Sequence, residues 1–377
     1  MPTGVLTTKQ DCEDFIQGCL IYGTGGGGSP EVGRRLLDEA LKEGLTLKWV
    51  DAEDIPDETL TASVGGMGSI APITEKTIKT IKKFGLVELP GFSPMSEALN
   101  ELQAYVGKKV ECIVTIELGA SNTPTPLVTG ARYGIPVVDG DYGGRAAPDG
   151  MQFMPYIHHK DACPVVFVDK WGDVTIVRRV QNTCILERIG KMLSMAGFVG
   201  AMMAVYAYPA PEMKNLLVRG TLTKCFRVGQ AIRAARENGL DPVDAILAET
   251  GGWRLFEGTV EKKDWEDLDG YMYGTISIKG SGKHAGQKLE VWFKNENHVT
   301  WLDGKPWVCS PDLISIVNRD SGEGRTNTMI DKGEEVAVLG MKGLACFRSE
   351  WALEHAFGPK YFGFDIEYSP IERIVGQ

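Results

Sequence analysis

Several features that would identify a chemistry at once are missing from this sequence. Eight cysteines are scattered over 377 residues, and no two of them form a C-x-x-C pair. That excludes a zinc ribbon and a thioredoxin-type site. Most lie in apolar runs such as "VECIVTI" and "KGLACF", where reduced core cysteines belong. There are five histidines. The adjacent pair His158-His159 would point to opposite faces of a strand, which disfavours a shared metal. No G-x-S-x-G elbow is present, and no Ser-His-Asp pattern can be recognised. No apolar run reaches the roughly 18 residues that would span a bilayer. The opening "MPTGVLTTKQDCEDF" lacks the regions of a signal peptide, so the expected location is cytoplasmic. Positive charge is also short: the formal net charge is -10, which argues against non-specific nucleic-acid binding.

What is present reads as a globular chain long enough for two domains, with 43% hydrophobic and 24% charged residues. Over the first 175 or so residues, short apolar runs ("LTLKWV", "TASVG", "ECIVTI", "IPVVDGD", "CPVVFVD") alternate with helical segments. That alternation predicts an α/β domain with a partly parallel sheet over residues 9–175. A helical block is expected over roughly 182–207, where Glu187, Arg188 and Lys191 interrupt the apolar pattern and oppose a membrane segment. After "YPAP" come two more helices, and from Trp253 the chain turns strand-rich. Residues 176–372 are therefore expected to form a helical connector and a β-rich domain, an antiparallel sheet or partial barrel. "LDGKP" is the expected tip of a hairpin, "SEWALEHAF" a late helix and "YFGFDIEY" a last strand.

Gly25, Gly26, Gly27 and Gly28 run into Ser29-Pro30 and a helix. With Gly23 they satisfy G-x-G-x-x-G, and an acidic residue follows about 23 positions on, the layout of a dinucleotide loop. That fingerprint needs a strand before the glycines, whereas "DFIQGCLIY" has helical spacing. NAD binding is therefore disfavoured, as is a P-loop, since no Lys-Ser or Lys-Thr follows. Amides at a helix N-terminus still suit an anionic or carbonyl oxygen. A tight helix-to-helix turn would need only one or two glycines, so four favour the close approach of a ligand.

Three short strands run into polar loops: "GGMGS" at 65–69, Glu117-Leu-Gly-Ala-Ser-Asn122, and Asp139-Gly-Asp141-Tyr-Gly-Gly-Arg145. If the strands are parallel neighbours, these loops converge at their carboxyl ends, where open α/β sheets bind ligands. Glu117, Asp139, Asp141 and Arg145 are the candidate catalytic residues, with Asn122 and Ser29 beside the glycines in binding. Such a set could activate water, hold a divalent cation or bind a polar heterocycle. A plain Asp-Gly turn with a surface Asp-Arg pair would give the same letters. Asn295 and Glu296, in "KNENHVTW", are a second polar surface expected to face the N-terminal domain, or else the polar end of a hairpin.

The segments "GTGGGGSPEVGRRLL", "IELGASNTPTPLVTGARYGIPVVDGDYGGRAAPDGMQF", "LFEGTVEKK", "GTISIKG", "VWFKNENHV" and "SPDLISIV" resemble the S-methyl thiohydantoin desulfurase family. They occur in the family's order and cover nearly the whole chain. The resemblance implies a small-molecule hydrolase that removes methanethiol from an S-methylated thiohydantoin and leaves a hydantoin. It also implies association with hydantoinase/oxoprolinase-type proteins. Where the family pattern continues into "AFPE", this chain has Ala147 and Asp149 in place of the phenylalanine and glutamate, which alters the pocket beyond. Competing expectations are a non-catalytic accessory subunit of a hydantoinase/oxoprolinase-type enzyme and a nucleotide-binding oxidoreductase. The sequence is compatible with a homo-oligomer and with a bound divalent metal.

Overall fold

The structure is a computed structural model that describes residues 2–198 and 200–376. Its first sheet has nine strands: β1 (Pro2–Leu6), β2 (Leu47–Val50), β3 (Leu60–Met67), β4 (Cys112–Thr115), β5 (Val137–Asp141), β6 (Val165–Asp169), β7 (Val174–Val177), β8 (Ala201–Pro209) and β9 (Val218–Arg219). The order is β1-β2-β5-β4-β3-β8-β6-β7, with β9 paired to β5. The pairs β2–β5, β5–β4 and β4–β3 are parallel, and the flanking pairs are antiparallel.

The central strands are buried on both faces, which is why they read as continuous apolar runs. Along β4, Ile113 packs into one core cluster while Cys112 and Val114 pack into the other. Val137 and Val138 divide in the same way, the period-two alternation of a strand. Helices α1 (Lys9–Tyr22), α2 (Pro30–Lys42), α3 (Glu75–Lys83), α4 (Pro94–Val106), α5 (Pro124–Tyr133), α6 (Met154–Ile157), α7 (Thr183–Ala196), α8 (Ala210–Leu216), α9 (Thr221–Glu237) and α10 (Pro242–Thr250) accompany this half. Their starts follow local chemistry: Thr8 and Asp11 form a capping box on α1, and Ser29 caps α2 with Pro30 at its first turn.

The second sheet is wholly antiparallel. It comprises β10 (Trp253–Leu268), β11 (Tyr271–Gly280), β12 (Lys288–Lys294), β13 (Glu296–Leu302), β14 (Lys305–Cys309), β15 (Leu313–Asn318) and β16 (Glu335–Met341), in the order β14-β13-β12-β11-β10-β16-β15. It forms a half-barrel around its own apolar cluster. Asp303 and Gly304, both at positive φ, make the two-residue tip of the β13–β14 hairpin, as "LDGKP" suggested.

Two elements differ from expectation. The block over 182–207 is a helix only to Ala196; the chain then passes Gly197 and Gly200 and becomes β8, which inserts between β3 and β6. Its methionines, alanines and valines satisfy either period, and pairing with two distant strands decides the outcome. "YFGFDIEY" forms turns and extended chain rather than a strand. No helix among the described residues is long and apolar enough to cross a membrane.

Candidate functional site

Because β5, β4 and β3 are parallel neighbours, the loops beyond them do meet at one edge. They enclose a cavity of about 290 Å³. Its walls come from Gly27 and Gly28, the end of β3 with the two residues after it (Gly65 to Ser69), and Glu117, Ser121 and Asn122 beyond β4. Ala147 to Gly150, the inner face of α7, β8 and the start of β13 complete it. Apolar side chains, Ile116, Phe153, Val165, Phe167, Leu186 and Val205, share the lining with polar groups.

The glycine loop follows a helix, α1, as the spacing of "DFIQGCLIY" suggested. Its outer side is pressed against the second sheet: Asn297 N–H donates to the Thr24 carbonyl at 2.8 Å, and Asn327 N–H to that of Gly25 at 2.6 Å. A Cβ on Gly26 would fall 1.8 Å from Glu296 Oε1, and one on Gly28 would fall 1.8 Å from Ser121 Oγ. Gly25, Gly27 and Gly28 also have φ of +98°, +75° and +84°, which side chains resist. Much of the glycine requirement therefore comes from neighbouring chain, and only Gly27 and Gly28 face the cavity.

Four carboxyl groups line the cavity, those of Glu117, Asp149, Glu187 and Glu296. Glu117, at the end of β4, accepts from Asn122 Nδ2 at 2.5 Å and from the Ala147 amide at 2.8 Å. Burial, with help from the Asp141 charge, pushes it up to about 7 despite those donors. Glu296, at the start of β13, is 3% exposed. Its Oε1 accepts from Gly27 N–H at 3.3 Å, while Oε2 has no protein partner. Burial first, and then the charge of Glu117, hold Glu296 well above the carboxylate range. Both carboxyls thus line one cavity, and the effect of charge between them is that of Glu117 on Glu296. Asn295, beside them, sits at φ +55° and ties its side chain to Met272 N–H at 2.9 Å.

The other expected residues lie behind this lining. Asp139 accepts from the amides of Leu222 and Thr223, both at 3.1 Å, and from Thr223 Oγ1 at 2.5 Å, so it caps α9. Asp141 is fully buried and accepts from the Gly143 and Gly144 amides at 2.9 and 2.7 Å. Burial pushes it up to about 7 as well. Arg145, 1% exposed, donates to Ala146 O, Thr24 Oγ1, Asn297 O and Pro311 O. It stitches three segments together behind the cavity, and burial lowers it to about 10. Ser29 caps α2 and donates to Glu31 at 2.6 Å. None of these four lines the cavity, and neither do Gly25 and Gly26.

Glu187, Lys191 and Tyr206 line the cavity but were not among the expected site residues. Glu187 and Lys191 are one turn apart on α7, both nearly buried, with Lys191 Nζ 3.7 Å from Glu187 Oε1 and 3.3 Å from Gly68 O. Tyr271 donates to Glu187 at 3.0 Å and offers its ring face to Lys191 at 4.0 Å. The signal was there: Thr183, Leu186, Glu187 and Lys191 recur at helical spacing and share a face. Tyr206 gave none, since its strand was read as helix. Asp149 lines the cavity and pairs with Lys294 at 2.6 Å. Among the described residues no three His, Cys, Asp or Glu side chains assemble into a metal-ligand set.

Comparison with known proteins follows the same division of the chain. A search of curated proteins gave no match. A crystal structure of a protein from Chromobacterium violaceum, determined by a structural genomics consortium, superposes with a TM-score of 0.77. It shares 19% identity and covers 98% of this chain and 100% of its own, a likeness of fold. Residues 10–179 match the S-Me-THD-like N-terminal domain, and residues 181–371 match the S-Me-THD-like C-terminal domain. With both family domains matched in order over nearly its whole length, the chain belongs to the S-Me-THD-like family.

Proposed function

We propose that the protein is a hydrolase of a small hydantoin-like ring, replacing a methylthio group on an S-methylated thiohydantoin by oxygen. The observation that carries this reading is that Glu117 and Glu296, both raised by burial, line one cavity of about 290 Å³ together with apolar side chains. The family assignment supports it.

Glu117, poised near neutrality, takes a proton from water as its oxygen bonds to the ring carbon that bears sulfur. The C=N electron pair moves to the ring nitrogen, which receives the proton held by Glu296. Collapse of the tetrahedral centre forms C=O, returns the hydroxyl proton to Glu296, and breaks the C–S bond. Methanethiolate leaves with the proton from Glu117, so both carboxyls end as they began. Lys191 supplies positive charge near the developing anion.

Purified protein is expected to release methanethiol, measured with a thiol reagent, from a 2-methylthio-hydantoin and to yield the hydantoin. Glu117→Gln should lower turnover about 100-fold or more while circular dichroism stays unchanged. Equal turnover in that variant, or none in the wild type, refutes the reading.

A further inference from the structure

Tyr206 is an anomaly in its strand. Its φ is +55°, a left-handed conformation that an aromatic residue seldom adopts. The register of β8 against β3 shows the cause. Thr61 pairs with Tyr208 and Ser63 with Val205, so Tyr206 and Ala207 together face the single residue Ala62. This is a β-bulge, a device that re-aims a side chain and recurs beside active sites. The ring it re-aims stacks on Tyr208 at 5.8 Å and meets Tyr142 edge-on at 5.5 Å. Tyr206 lines the cavity, and the charges of Glu117 and Glu187 both act on its hydroxyl. Among the described residues, no hydrogen bond figures in the surroundings that act on that hydroxyl. Strain is kept where the surroundings impose it and often serves the site.

We infer that Tyr206 is a substrate-contacting residue whose neutral hydroxyl donates a hydrogen bond to a carbonyl oxygen of the bound ring. The bulge sets this residue in the lining that Glu117 and Glu296 share, and stacking on Tyr208 with the edge-on contact to Tyr142 fixes the direction of its ring. A ring without a carbonyl at that edge would leave the donor unpaired and be rejected. The inference rests on the proposed function for the identity of the ring.

The test compares Tyr206→Phe, which keeps the ring and its stacking, with Tyr133→Phe. The Tyr133 hydroxyl donates to Ser96 O at 3.0 Å, and Tyr133 does not line the cavity. Tyr206→Phe is expected to lower kcat/KM for the 2-methylthio-hydantoin about tenfold and to weaken hydantoin binding, measured by calorimetry, to a similar degree. Tyr133→Phe should leave both unchanged. Wild-type values for Tyr206→Phe in both assays overturn this inference and leave the hydrolase reading standing. If the wild type binds hydantoin without turnover, the hydrolase reading fails, and weaker binding by Tyr206→Phe alone still supports the contact. A wild type that neither binds nor converts these rings overturns both.

Discussion

A methyl group on Gly26 would occupy the space that Glu296 Oε1 now fills, so this glycine sets the position of that carboxyl. Gly26→Ala is expected to cost about 1–3 kcal/mol of stability through overpacking and to reduce turnover at least as strongly as it shifts Glu296. Gly44→Ala is the control for backbone strain alone: Gly44, unlike Gly26, has φ of +75° and would meet nothing within 4 Å. That variant should lose about 1 kcal/mol with activity intact; urea denaturation and the methanethiol assay read both effects. Equal losses of activity in the two variants would detach Gly26 from the site. At this scale the residue types were legible and their division of labour was not. Asp139 and Asp141 are two apart on a strand and so share a face. That face meets α9, which lies some 80 residues on in the chain. No local letter shows where its N-terminus will fall. Glu117 looks the same in the sequence, yet it alone of the three faces the cavity.

Helix α9 shows how an element can depend on a residue far from it. Its N-cap position is Gly220, which has no side chain to offer, and Asp139 supplies the missing acceptor from β5. Trp49 Nε1 donates to Thr223 Oγ1 at 2.8 Å, so the cap also fixes the hydroxyl that donates to Asp139. Asp139→Ala should therefore destabilise the protein by about 1–3 kcal/mol and leave the turnover of the folded fraction unchanged. Turnover lost with stability retained would return Asp139 to the catalytic set. Elements with a strong local period, such as α2, β4, β6 and the β13–β14 hairpin, were readable because cap, pattern and turn chemistry agree. The strand β8 was not, because nothing within residues 201–209 separates a buried helix from a strand paired on both sides. The cost of that misreading was Tyr206, whose bulge exists only in relation to β3.

The candidate site is a property of the whole molecule, since Glu117 comes from the first sheet and Glu296 from the second. The loop that joins them, Gly26–Gly27, is held by both. Keeping these carboxyls buried has a consequence for stability. Glu117 titrates near 7 when folded and near 4.5 in the open chain, Asp141 moves from 3.8 to about 7, and Glu296 is raised as well. Between about pH 4 and 7 the native state therefore binds protons that the unfolded chain has released. By linkage, stability contributed by these groups is fully present below the unfolded values and is lost as pH rises through the folded ones. The melting temperature is expected to fall by a few degrees from pH 5.5 to pH 8, and both Glu117→Gln and Glu296→Gln should flatten that slope. Turnover should move the opposite way, rising through about pH 7 as Glu117 loses its proton and becomes the base. Opposed profiles for melting temperature and rate, both altered by one substitution at Glu117, would tie the cost of burying the carboxyl to its chemistry. A melting temperature that rises over this range in the wild type and is unaffected by either substitution would place both carboxyls in the ionised, solvated class and remove the basis of the mechanism.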